Sequence, residues 1–314
     1  MTESQKIIGH TSVIDFLNSI IDVENFPSAV LLFGPPMVGK TAIAEQIARR
    51  LLCVNNNNCG QCASCLTRLD SHSDVLQYEL PQKDGDTEET SQRKVLSSLL
   101  QRIYQRPVLG KYLVIILKQV DEYNVFTSQV LLKFLEDSPA YAKFIITAGS
   151  IDAVLPTIRS RSLVKQVFPL SNRNLREELI SLSRNGSSVA NTPSNDTISR
   201  IALLSGGRPG LAMRLMADEQ LFQRYDQWYE KLFLLSRMTI GERSAFADEV
   251  DKQGAALEII ILLQNIMREK IAISDSGNSI TAALRRSRES ASMIKANVPA
   301  RLALEYLFFT PSIL

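Results

Sequence analysis

The chain has 314 residues, 45% of them hydrophobic and 22% charged, the mix of a globular protein with material for two or three domains of roughly 100–200 residues each. A formal net charge of +2 excludes a protein that holds nucleic acid by bulk charge, so any DNA contact needs a local patch or a larger assembly. Apolar runs such as Leu113–Leu117 and Ile259–Leu263 fall far short of the roughly 20 residues that span a bilayer, and MTESQKIIGH lacks an apolar signal segment, so the expectation is a cytoplasmic protein with no membrane partner.

In chain order, residues 7–21 read as an entry segment and an amphipathic helix, with Ile14, Leu17, Ile20 and Ile21 at helical spacing. Ala29–Phe33 is a continuous apolar run, the pattern of a strand covered on both faces. Thr41–Leu52 is helical, with Ala44, Ile47, Ala48 and Leu51 on one face. Residues 82–92 read as a polar loop and Val95–Tyr104 as a helix. Strands follow at Tyr112–Leu117 and Phe144–Ala148, separated by a helix over Phe126–Glu136. Strands alternating with helices indicate a parallel sheet covered on both sides. After about residue 168 the pattern turns helical, with Leu175–Ser183 and Thr197–Ser205 flanking a loop-like NGSSVANTPSND. From Glu219 onward helices continue, with breaks near 237–241 and 274–279. The expected division is an α/β domain over 1–168, a small helical domain over 169–217 and a larger helical domain over 218–314.

Between the first strand and its helix lies Gly34, Pro35, Pro36, Met37, Val38, Gly39, Lys40, Thr41, a full match to G-x-x-x-x-G-K-[ST]. In such a loop backbone N–H groups point inward at phosphates, and the following helix N-terminus adds partial positive charge. Lys40 reaches the terminal phosphates and the Thr41 hydroxyl ligates Mg²⁺. The alternative, a chance match in a surface loop, lacks the strand-before and helix-after context found here. ATP with Mg²⁺ is the expected ligand.

Cys53, Cys59, Cys62 and Cys65 are the chain's four cysteines, spaced C-x5-C-x2-C-x2-C, with Gly60 able to turn the chain. Four thiolates so close fit a closed, structural Zn²⁺ site. The alternatives are two disulfides, disfavoured in a reducing compartment, or free thiols in a loop. His72 is nearby but is surplus to a complete set of four.

A cysteine module directly after a phosphate-loop helix resembles the clamp-loader subunits of bacterial DNA polymerase III, the delta-prime and gamma/tau family of the AAA+ class. Other stretches agree in order along the chain: PSAVLLFGPPMVGKTAIAEQIARRLLC (27–53), QVLLKFLEDSP (129–139), LPTIRSRS (155–162), GGRPGLAMRL (206–215) and ANVPARLALEYLFF (296–309). The resemblance implies an AAA+ α/β domain with a parallel sheet, a helical lid and an all-α C-terminal collar. It implies a pentameric ring with gamma/tau and delta subunits that acts on a sliding clamp and primed DNA. LPTIRSRS resembles the family's Ser-Arg-Cys motif, with Ser162 in place of cysteine, and this makes Arg161 the expected arginine finger, reaching into a neighbour's ATP site. The plainer alternative is that Arg161 or Arg159 is a solvated charge, or is paired with Asp or Glu.

Departures from the family pattern carry their own expectations. The acidic pair that holds Mg²⁺ and polarises water in an active AAA+ ATPase falls at Lys118 and Gln119. Neither can do that work. Asp121 and Glu122, three residues on, are the alternative pair. Where a motor subunit senses phosphate with a lid arginine, this chain has Gly210, with Arg208 and Arg214 close by. Met37 stands at a loop position often occupied by glycine, a change expected to be harmless to the cradle. The expectation is a subunit that keeps its nucleotide loop and has lost hydrolysis. The alternatives are an ATP-hydrolysing gamma/tau-like motor and a stand-alone DNA-processing ATPase. Trp228, Tyr229, Phe222, Tyr225 and Phe233 read as packing rather than a base-stacking surface. Arg285, Arg286 and Arg288 read as a solvated face, with a contact to DNA phosphates or to a partner as the alternative.

Overall fold

The computed structural model describes residues 7–79, 99, 101–123, 125–184, 194–273 and 277–309, without side chains at 125–126, 269–273, 277–280 and 295. The expected loop at 82–92, much of the helix at 95–104, most of the loop-like NGSSVANTPSND and part of the break at 274–279 fall outside those residues. By their contacts the residues form two units, Met1–Leu170 with Arg208–Gly210, and Ser171–Gly207 with Leu211–Leu314.

The first unit is a five-stranded parallel sheet in the order β2-β3-β4-β1-β5. Its strands are β1 (Ala29–Phe33), β2 (Val75–Tyr78), β3 (Leu113–Leu117), β4 (Ala142–Ala148) and β5 (Leu163–Gln166). Helix α1 (Thr11–Asp22) precedes β1, and α2 (Lys40–Leu52), the short α3 (Ala63–Leu66), α4 (Val125–Asp137) and the short α5 (Pro156–Ser160) lie between strands in sequence. The three central strands are apolar because both faces are covered. Val30, Leu32, Val114, Ile116 and Ile145 pack on one side with Ile43, Ile47 and Leu51 of α2 and Leu17 of α1. Ala29, Leu31, Leu113, Ile115, Phe144 and Ile146 pack on the other with Leu131 and Phe134 of α4 and Ile158 of α5. Alternation along each strand sends successive side chains to opposite faces, so both layers draw on the same strands.

Two strands were not predicted from sequence. β5 lies on one edge of the sheet, and its LVKQ alternates half-buried and exposed positions, too short and mixed to stand out as an apolar run. β2 is the other edge, VLQY, with one exposed glutamine.

The second unit contains only helices among its described elements. It holds α6 (Asn172–Arg184), α7 (Asn195–Ser205), α8 (Pro209–Ala217), α9 (Glu219–Leu234), α10 (Ile240–Lys252), α11 (Ala256–Ile273), α12 (Gly277–Lys295) and α13 (Ala300–Phe308). The starts are chemically marked: Ser194 caps α7, Asp218 caps α9, and Thr239 with Glu242 forms a reciprocal capping box at α10. Trp228 and Tyr225 of α9 are buried with ring centroids 5.1 Å apart, as packing residues should be. On α12, Arg285 pairs with Glu289 one turn away and Arg286 lies over Tyr306, so those two arginines have partners within the unit.

Candidate functional site: the phosphate loop and its flanking turns

The loop between β1 and α2 has the backbone of a phosphate cradle. Gly34 donates its N–H to Ala148 O at 3.2 Å and adopts φ 156°; a Cβ there would meet Val167 O at 2.2 Å, so only glycine fits. Met37 and Gly39 follow with φ of 61° and 103°. Met37 is therefore not neutral. A left-handed backbone costs an ordinary L-residue about 1–2 kcal/mol, a strain that glycine would not carry. The cradle keeps its shape, at the expense of local stability.

Lys40 opens α2 and is buried. Its Nζ donates to Gly34 O at 2.7 Å and Pro35 O at 2.8 Å, curling back over the loop where phosphate oxygens would lie. Burial brings its ammonium down to about 8, with the Asp121 carboxylate partly opposing that shift. His10, which sequence reasoning passed over, supports the loop from beneath. It is buried in a left-handed conformation, φ 59°, and its Nε2 lies 2.8 Å from Val38 O. That distance makes Nε2–H the donor, and burial keeps the ring's pKa below its ordinary value and so favours the neutral form. Nothing in the helical periodicity of 11–21 could have flagged a residue that sits before the helix.

Past the end of β3 lie Lys118 and Gln119, the positions that the family resemblance assigns to the catalytic acids. Lys118 continues the ladder by donating its N–H to Tyr78 O at 2.9 Å, and its ammonium pairs with Glu79 at 3.5 Å. Gln119 is left-handed, φ 51°, and its side chain donates to Glu122 at 3.0 Å. Asp121 is committed to the main chain leaving β4. Both carboxylate oxygens accept from Gly149 N–H at 2.9 Å, and Oδ2 also accepts from Ser150 N–H at 3.2 Å.

Arg161 caps the C-terminal end of α5, and its guanidinium forms an ion pair with Glu136 of α4 at 2.6 Å. Both side chains reach solvent. The paired state of Arg161 in the isolated chain is thus one of the two arrangements its sequence context allowed.

The cysteines come together as their spacing requires. Their four Sγ atoms lie within 4.8 Å of one another, and Cys59 and Cys65 are 4.0 Å apart. Four sulfurs about 2.3 Å from one tetrahedral ion stand roughly 3.8 Å apart, so the set fits a single metal ion. Cys53 ends α2, Cys62 caps the start of α3 and Cys65 lies within it. Left-handed Asn56, Asn58 and Gly60 turn the chain between them. Burial opposes charge on Cys53, but N–H groups around its sulfur outweigh that and bring the thiol to about 6, while burial pushes Cys65 up to about 12. Arg50 ties the module to the body of the unit, donating to Asn56 O at 2.6 Å and pairing with Asp22 of α1.

A second anchor near the module was also missed. Asp74 is fully buried and accepts N–H bonds from Val108, Leu109 and Gly110 at 2.6, 2.7 and 3.0 Å. Burial alone would raise its pKa, but these three donors hold the carboxyl below the usual range. His72 turns inward beside it, its Nδ1 accepting Asp74 N–H at 3.0 Å. Expected from sequence to be a loop histidine, His72 is buried and part of this hydrogen-bonded turn, outside the set of four cysteines.

A parallel sheet carrying a phosphate loop after its first strand, with helices on both faces and a helical C-terminal portion, defines a P-loop protein of the AAA+ class. A structure of a DNA polymerase III gamma subunit-related protein from Thermotoga maritima covers 94% of this chain and 97% of its own, with a TM-score of 0.50 at 15% identity, a likeness of fold. Residues 9–171, just over half of the chain, match the family model described as DNA polymerase III, delta subunit, and the chain belongs to that clamp-loader family. Among its relatives, the DNA polymerase III subunit delta' of Pseudomonas aeruginosa is 30% identical over 60% of this chain and 55% of its own length. The gamma/tau subunit of Mycobacterium tuberculosis is 32% identical over 50% of this chain and 27% of its own. The chain thus spans about half, or less, of the relatives it matches. No described helix is long and apolar enough to cross a membrane.

Proposed function

We propose that this chain is a delta-prime-type clamp-loader subunit that holds a nucleotide without hydrolysing it. In this reading it supplies Arg161 to the ATP site of a neighbouring subunit. It works in a pentameric ring with gamma/tau and delta subunits that opens a sliding clamp and places it on primed DNA. Residues 169–217 act as the lid and 218–314 as the collar. The observation that carries the reading is the contrast within one sheet. The phosphate cradle is intact around Lys40, whereas Lys118 and Gln119 stand at the acid positions and are engaged with Glu79 and Glu122. The motor alternative needs Asp121 as an acid, and its carboxylate is already occupied by two backbone N–H groups. Zn²⁺ is the metal we assign to Cys53, Cys59, Cys62 and Cys65, with a structural role because four thiolates leave no open position.

A tagged copy purified under native conditions should bring gamma/tau and delta subunits with it, in a complex of about five chains. Recovery of the chain alone at physiological salt would favour a stand-alone protein and overturn the assignment.

Nucleotide binding has a pH signature of its own. The protonated Lys40 is the form that attracts phosphate, and its fraction falls as pH rises through about 8. A bound triphosphate restores the ammonium, so binding above pH 8 takes up a proton. Affinity for ATP should be level below pH 7 and weaken above 8, approaching about tenfold per pH unit, the limit for one coupled proton. Titration of a fluorescent ATP analogue across pH 6.5–9.5 reads this directly. Lys40→Arg, charged throughout that range, should bind without the slope.

A further inference from the structure

We infer that Glu136 is a positioning residue for Arg161, holding the guanidinium on the surface with its remaining N–H groups free to meet a phosphate. The inference rests on the finger reading of Arg161 and adds a second residue to it. Glu136 lies in the last turn of α4, where a carboxylate is poorly placed beside the negative end of a helix dipole and gains from a counter-charge. Arg161 supplies that charge through one NH2–Oε1 contact of 2.6 Å.

The contact joins two rigid points. α4 is fixed to the sheet by buried Leu131, Phe134 and Leu135, and α5 by buried Ile158. Arg161 itself follows α5 directly, its N–H bonded to Ile158 O at 3.3 Å. Among the described residues the guanidinium makes one other contact, a long one from NH1 to Thr157 O at 3.4 Å. A guanidinium has five N–H donors, so one carboxylate oxygen leaves donors for an anion on the open side. The side chains of Arg161 and Glu136 are 40% and 45% exposed, which leaves that side accessible and also limits the strength of the pair. An arginine free to sample its rotamers would have to be ordered each time it met a phosphate. One already held by Glu136 is ordered beforehand.

The test is made in the complete ring, with the other ATP sites silenced by lysine replacements in their own phosphate loops, so that turnover reports the site Arg161 serves. Glu136→Ala should lower kcat there about three- to fivefold, the range of an exposed ion pair, with KM for ATP unchanged. Glu136→Gln, which keeps an acceptor, should recover part of that loss. In an Arg161→Ala background the Glu136→Ala change should add nothing. Arg161→Ala without effect would remove the finger reading itself. A large Arg161→Ala effect with Glu136→Ala silent, faster, or equally damaging in both backgrounds would overturn the positioning role and leave the finger standing. The substitution lies at an exposed helix end, and an unchanged melting temperature confirms that folding is not the cause.

Discussion

Alanine at Arg161 should slow ATP hydrolysis on the order of a thousandfold at the one site this subunit serves, while leaving ring assembly and ATP affinity intact. The magnitude follows from what an arginine contributes to phosphoryl transfer, about 10³–10⁵ in rate, by neutralising charge that develops on the moving phosphoryl group. It acts in the transition state more than in the bound state, so kcat should fall and KM stay put. Total turnover of an unmodified ring would hide the effect, because other sites keep working. Single-turnover measurement with those sites silenced exposes it. Arg161→Lys should rescue little, since a point charge does not reproduce a planar fork. A rate within a fewfold of wild type would show that Arg161 is only the partner of Glu136.

Serine at Cys62 should take the chain from about one bound zinc to about none and loosen residues 53–74, while the five-stranded sheet stays folded. Cys62 begins the turn into α3, and its sulfur belongs to the cluster whose members lie within 4.8 Å of one another. A ligand that binds only the folded form at about a thousand times its Kd stabilises by about 4 kcal/mol. For a unit of this size that corresponds to roughly 10 °C in Tm. Metal analysis of protein purified without added zinc gives the stoichiometry, and hydrogen exchange locates the loosened segment. A metal-free wild type of normal stability would end the zinc assignment. The body of the sheet should survive because Ile43, Ile47 and Leu51 of α2 pack on strands rather than on the module.

How much of this could be read in advance depends on how local the cause is. The central strands are legible because burial on both faces makes them continuously apolar. The phosphate loop and the cysteine set are legible because their chemistry demands fixed spacings within a few residues. Edge strands β2 and β5 escape because each has one neighbour and a mixed exterior. His10, Asp74 and Glu136 escape for a different reason. Each acts on a group 25 to 36 residues away in sequence, with no periodic signal to announce it. Met37 is an intermediate case. Its position in the motif was plain, but the left-handed backbone that makes methionine costly there is visible only in three dimensions.

The rim of the sheet around the phosphate loop is held together through main-chain groups, answered by one carbonyl and by the side chains of His10, Thr147 and Asp121. Gly34 leans on Ala148, Val38 on His10, Gln119 N–H on Thr147, and Gly149 on Asp121. None of these supports calls on the side chains at positions 118 and 119. A framework of that kind tolerates changes at 118 and 119 without losing its shape. A carboxylate at 118 would stand where Lys118 now meets Glu79, and one at 119 would replace the Gln119 contact to Glu122, setting like charges against each other in both places. The two glutamates thus oppose an acidic pair at these positions.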